Sequence, residues 1–126
     1  MAKGERHQAM GTGFHDLRVW HEAKALAVSV YRATEPLRDY GLREQMRRAA
    51  VSVPSNIAEG DERDTDKDCV RHLYIAKGSL AELRTQLEIA SAVGALPDAT
   101  VKPLLESSVS IARQLGALIK ARSPRV

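Results

Sequence analysis

Apolar residues recur along this chain at steps of three and four, the spacing that lines side chains up on one face of an α-helix. From Leu17 to Thr34 one line runs Val19, Ala23, Leu26, Val30 and Ala33, and a second runs Trp20, Ala27 and Tyr31. Together they predict a helix with a broad buried face. Pro36 and the Asp39-Tyr40-Gly41 stretch stop it, and a second run follows through Leu42, Met46, Ala49, Val53 and Ile57. After Gly60 the stretch DERDTDKD sets five acids against Arg63 and Lys67, a polar turn in which Thr65 or Asp66 can cap the next helix. The third helix keeps the strictest rhythm, with Cys69, Leu73, Ala76, Leu80, Leu83, Leu87 and Ala90 in alternating steps of four and three. Gly94 and Pro97 end it, Asp98 is placed to cap a fourth helix, and Val101, Leu104, Leu105, Ser108, Ala112, Leu115 and Ile119 form the last stripe. Pro103 falls in the first turns of that helix, and Lys120 and Arg122 lie where the helix dipole favours cations.

Four such helices joined by short turns predict an all-α fold, an antiparallel up-and-down four-helix bundle. Residues 1–13 hold three glycines and no apolar period, and read as a flexible tail; the bundle spans 14–122, and 123–126 form a C-terminal tail. At 126 residues the chain suits one domain. One Trp, one Phe and three Tyr match Ala- and Leu-rich helices better than sheets. A single cysteine, Cys69, allows no internal disulfide, and no apolar run approaches the ~20 residues that span a bilayer. A reducing cytoplasm without membrane attachment is the expected setting.

The second helix contains an unusual stretch, SVPSNIAEG, at residues 52–60. Pro54 removes one donor and crowds the carbonyl of Ala50, which costs ~3 kcal/mol in an ordinary helix interior. Ser52, Ser55, Asn56 and Glu59 share one line, extended backwards by Arg48 and Gln45, and Ser79, Glu82 and Gln86 recur at matching spacing on the third helix. This predicts a polar layer joining Asn56, Glu59 and Arg48 to Ser79 and Glu82, with Gly78 and Ser79 allowing close backbone approach. The alternative is a solvated polar face.

Reactive chemistry finds little support in the sequence. No Glu-x-x-His of the di-iron bundles occurs, Cys69 and His72 lack third and fourth metal ligands, and no nucleophile elbow, P-loop or dinucleotide fingerprint is present. His15 and His21 have no partnered nucleophile. The expectation is a protein without enzymatic activity, metal or cofactor. A net charge of +3 permits nucleic-acid contact without requiring it. The candidates are Arg43, Arg47, Arg48, Arg71 and Lys77, which also have an ordinary reading as solvated surface.

Three segments carry a family resemblance: FHDLRVWHEAKALAVSVY, YGLREQMRRAAVSVPSNIAEG and YIAKGSLAELRTQLEIA. They resemble successive signatures of the bacterial four-helix-bundle family encoded in intervening sequences of 23S ribosomal RNA genes, from Phe14 to about Ile119. That family is similar to the accessory variability determinant of diversity-generating retroelements. The resemblance implies a homopentamer of four-helix protomers that holds RNA or DNA beside a reverse transcriptase or another protein. It marks Ser55, Asn56, Glu59, Gly60, Ser79 and Glu82 as motif positions without a catalytic role. The chain departs from the family at EGDERDTDKD, where aromatic and basic residues are more usual. The functional expectation is a self-assembling bundle that binds nucleic acid through basic surfaces, or alternatively a protein-binding scaffold without nucleic acid.

Overall fold

The computed structural model describes residues 13–123, so of the two expected tails, 1–13 and 123–126, all but Gly13 and Ser123 lie outside the described residues. A 3-10 turn at Gly13–Asp16 leads into four helices: α1 (Arg18–Ala33), α2 (Tyr40–Asp61), α3 (Asp66–Ala92) and α4 (Asp98–Arg122). Each packs against its chain neighbours, and α1 closes the ring against α4. The diagonal pairs make no close backbone contact among the described residues.

Side-chain contacts fix the directions. Ser52 of α2 meets Ser79 of α3 while Asn56 meets His72, so one helix ascends as the other descends. Ser91 meets Asp98 across the α3–α4 turn, and Arg122 at the far end of α4 returns to Cys69 at the start of α3. Arg47 near the start of α2 reaches Thr34 after α1, and Glu22 early in α1 meets Gln114 late in α4. These contacts trace an up-down-up-down order.

The helix boundaries follow local chemistry. Asp39 opens α2 instead of closing α1, because its Oδ1 accepts the Leu42 amide at 3.0 Å. α1 has already ended, with the buried Thr34 hydroxyl donating to the Val30 carbonyl at 2.7 Å. Thr65, rather than Asp66, caps α3 by accepting the Asp68 amide at 3.1 Å. Gly94 takes φ +73 just past α3, and the amides of Ala95 and Leu96 both return to the Ala90 carbonyl. At α4 the expected cap is displaced by one residue. Pro97 occupies the capping position, and Asp98 is the first helical residue, its carboxylate accepting from Ser91.

The predicted seam of α3 is buried at all seven positions, against Val30 of α1, Met46, Val53 and Ile57 of α2, and Ile111 and Leu115 of α4. The second line of α1 turns outward at Tyr31, which is 45% exposed. α2 runs on unbroken through Pro54.

Candidate functional site: the polar layer between α2 and α3

The SVPSNIAEG stretch lies where α2 packs on the first half of α3, and a chain of hydrogen bonds runs along the joint. The hydroxyls of Ser52 and Ser79 are hydrogen-bonded across the two helices at 2.8 Å, either one able to donate. Asn56 Nδ2 donates to the Ser52 carbonyl at 2.9 Å and to its Oγ at 3.0 Å. That orientation leaves Asn56 Oδ1 facing His72 Nδ1 at 3.1 Å, with Glu59 Oε2 at 3.4 Å from the same nitrogen. On the other edge of the ring, Arg63 Nε donates to His72 Nε2 at 3.2 Å and Arg71 Nη2 lies at 3.4 Å. A guanidinium can only donate, so Nε2 is the acceptor and the ring proton sits on Nδ1, donated to Asn56. Burial holds the His72 pKa below the ordinary histidine value, reinforced by Arg63 and Arg71 and partly opposed by Glu59 and Asp68. The ring is therefore neutral, and its two nitrogens have matched partners.

Gly60 lets the helices close. A Cβ on Gly60 would stand 3.1 Å from the Cys69 carbonyl oxygen and 3.1 Å from the His72 Cβ. The expected close approach at Gly78 is not found, since nothing lies within 4 Å of a Cβ added there. Beneath the layer, Arg122 of α4 reaches the buried Asp61 at 3.6 Å and Cys69 Sγ at 3.6 Å, tying the α2–α3 turn to the end of α4.

The predicted layer thus exists with different members. Asn56, Glu59 and Ser79 belong to it, Ser52 bridges them, and His72 is its hub. Arg48 and Glu82 are exposed and take no part, because both lie farther round their helices than the line that faces the joint. Ser55 is exposed and Pro54 half-buried. His72 was detectable in the sequence through its seven-residue spacing to Ser79 and Gln86, which together mark the line of α3 that faces α2. Gln86, 7% exposed, has an Oε1 without a hydrogen-bond partner.

The basic candidates separate into different environments. Arg47 is engaged within the fold: its Nε donates to Thr34 Oγ1 at 3.0 Å, and its Nη2 to the Tyr31 carbonyl at 3.0 Å and to Glu35 Oε2 at 3.2 Å. It also stacks 4.5 Å from the Tyr31 ring. Arg43 lies over Tyr40 and donates to the Glu35 carbonyl at 3.4 Å. Both therefore serve carbonyls at and beyond the end of α1. Arg71 adjoins His72, whereas Arg48 and Lys77 are exposed on separate helices. The structure does not gather the five into one patch.

Glu59 and Glu82 are not brought together either, since Glu59 meets His72 and Glu82 stands ten residues, or ~15 Å, farther along α3. Among the described residues no group of three or more His, Cys, Asp or Glu is placed to hold a metal. The joint ties α2 to the first half of α3 through side-chain hydrogen bonds.

Comparison with known proteins places this motif. Residues 15–117 match the family described as 23S rRNA-intervening sequence protein. The chain belongs to this family. A similar solved structure is that of a protein of unknown function from the S23 ribosomal protein family of Bacteroides thetaiotaomicron, with TM-score 0.77 and 21% identity over 81% of this chain and 98% of that one. At that identity the likeness concerns the fold. No curated protein matches the chain. Among the described residues no helix is long and apolar enough to cross a membrane.

Proposed function

We propose that this family member is a non-enzymatic, self-assembling helical scaffold of the cytoplasm, which binds RNA or DNA through basic surfaces that become dense only when several copies associate. The observation that carries this reading is that Ser52, Asn56 and Glu59 of the SVPSNIAEG motif are engaged with Ser79 and His72 of α3, while cations such as Arg48 and Lys77 are exposed to solvent. A net charge of +3 on one protomer is modest, but repeated around an oligomer it forms a continuous positive field suited to phosphate. The family resemblance supplies the expected stoichiometry, a homopentamer, and the expected context, a reverse transcriptase or other protein partner.

The competing reading is a protein-binding scaffold without nucleic acid, and the exposed Ile75 and Ile89 of α3 and Val93 just past its end favour it. Salt separates the two, because phosphate contacts weaken steeply with ionic strength and apolar contacts do not. Fluorescence anisotropy of a short structured RNA, titrated with the full chain at rising salt, is expected to show binding that falls linearly on a double-logarithmic plot. Absence of binding at low salt contradicts the nucleic-acid reading.

A further inference from the structure

Most exposed cations of this chain have a carboxylate three or four residues away in sequence: Glu35 for Arg32 and Arg38, Glu44 for Arg48, Asp64 for Lys67, and Asp98 and Glu106 for Lys102. Lys77, Arg113 and Lys120 have none, are exposed, and make no hydrogen bond or ion pair among the described residues. The fold brings these three to one groove, between α3 and α4. Ser91 contacts Asp98 of α4, so the seven-residue line Val70, Lys77, Arg84 and Ser91 faces that helix, as His72 and Ser79 face α2. On α4, Lys102 lines a pocket with Glu88 and Ser91, and its line continues through Glu106, Val109, Arg113 and Gly116 to Lys120. Lys77 lies fourteen residues from Ser91 and Arg113 fifteen from Asp98, so they stand level on opposite rims, with Lys120 ~10 Å farther along α4. Between the rims the floor is open, since nothing lies within 4 Å of a Cβ added at Gly116. Glu106, level with Arg84, closes the basic stretch at one end and Asp66 closes it at the other. Tyr74, one turn from Lys77 and 57% exposed, presents an aromatic ring beside the same rim.

We propose that this groove takes a single-stranded nucleic acid, with phosphates on Lys77, Arg113 and Lys120 and a base stacked on Tyr74. This inference rests on the nucleic-acid half of the function proposed above and fixes where the strand lies; it is independent of how many copies associate. Three uncompensated cations within about two helical turns suit a phosphate backbone of any kind. The ring decides for a single strand, because unpaired bases are free to stack on it whereas duplex bases are already stacked on one another. Association of copies repeats the groove and lengthens the track. Arg43 and Arg47, engaged with the end of α1, take no part.

Anisotropy titrations of the full chain with a labelled single-stranded RNA, a single-stranded DNA of the same sequence and the corresponding duplex test this. The single strands are expected to bind more tightly than the duplex. Each phosphate contact on a single strand contributes ~0.7 to the slope of log affinity against log salt, so Lys77→Gln/Arg113→Gln/Lys120→Gln should reduce that slope by about 2 for each protomer engaged. Lys24→Gln/Arg32→Gln/Arg38→Gln, which removes the same charge from the side of α1, should leave it unchanged. Tyr74→Ala should weaken single-strand binding about tenfold with the slope retained. All of these side chains are exposed, and circular dichroism checks that helicity is kept. The charge-preserving Lys77→Arg/Arg113→Lys/Lys120→Arg should restore the wild-type slope. Equal slopes for the two neutralised variants, or tighter binding of the duplex, overturn the groove and leave nucleic-acid binding standing. A wild type that binds none of the three probes overturns both.

Discussion

α2 is held at its two ends by opposite kinds of chemistry. Its N-terminal half is joined to α1 by a charged clasp, in which the Arg47 guanidinium bonds to Thr34, the Tyr31 carbonyl and Glu35 while lying on the Tyr31 ring. Its C-terminal half is joined to α3 through the neutral groups Ser52, Asn56 and His72, around the close approach at Gly60, with the charged Glu59, Arg63 and Arg71 kept at the exposed rim of the His72 ring. The difference follows from what each neighbouring helix offers. α1 ends beside α2, and carbonyls at a helix end have no partners within the helix, so a many-donor cation satisfies them. α3 passes alongside α2 with its backbone already bonded, and only side chains remain to be matched. There a net charge would carry a desolvation cost that neutral hydrogen bonds avoid.

Removing the clasp is expected to have the largest effect. Arg47→Met leaves the Tyr31 carbonyl and Thr34 short of donors and should lower unfolding stability by ~2–3 kcal/mol, whereas Arg48→Met, one residue on, should leave the melting temperature unchanged. Equal effects in thermal melts would show that the two arginines do not differ as described. Next comes the joint around His72: Asn56→Leu removes the nearer acceptor of the buried His72 Nδ1–H, leaving only Glu59 Oε2 at 3.4 Å, and should cost ~1–2 kcal/mol in urea unfolding. An unchanged midpoint would return the stripe to a solvated face. Gly60→Ala forces a methyl against the Cys69 carbonyl and should destabilise by ~1 kcal/mol net, even though alanine is the better helix former. A rise in stability would mean that the joint is looser than its distances imply.

The smallest expected effect is on pH dependence. The folded-state pKa of His72 lies below the unfolded value, so the unfolded chain binds the extra proton first as the solution is acidified. The contribution of His72 is complete above about pH 6.5, declines as pH falls from there to the folded-state pKa, and is constant below it. Between pH 7 and 5 the wild type should lose more stability than His72→Gln. Parallel stability curves for the two proteins would remove His72 from that role.

The four helices were legible because burial imposes a periodicity that the chain displays, most plainly at the seven seam positions of α3. The membership of the polar layer was only half legible. Spacing shows which residues share a line, and it correctly grouped Ser52, Asn56 and Glu59 on one side and Ser79 on the other. It does not show how far that line is rotated from the partner helix, and the rotation excludes Arg48 and Glu82 and admits His72. Arg47 was least legible, since its role depends on carbonyls at and beyond the end of α1 that no side-chain pattern records. Gly78 shows the same limit. Its spacing suggested contact with α2, and only the three-dimensional arrangement turns it to solvent.

The central claim is that SVPSNIAEG builds a hydrogen-bonded joint around a neutral His72. Long-range proton–nitrogen correlation spectroscopy of the histidine rings tests it most directly. The account predicts that His72 is protonated on Nδ1 alone at pH 7 and stays neutral after ordinary exposed histidines have taken up their second proton. A His72 that carries its proton on Nε2, or that titrates at or above the ordinary histidine value, would contradict it.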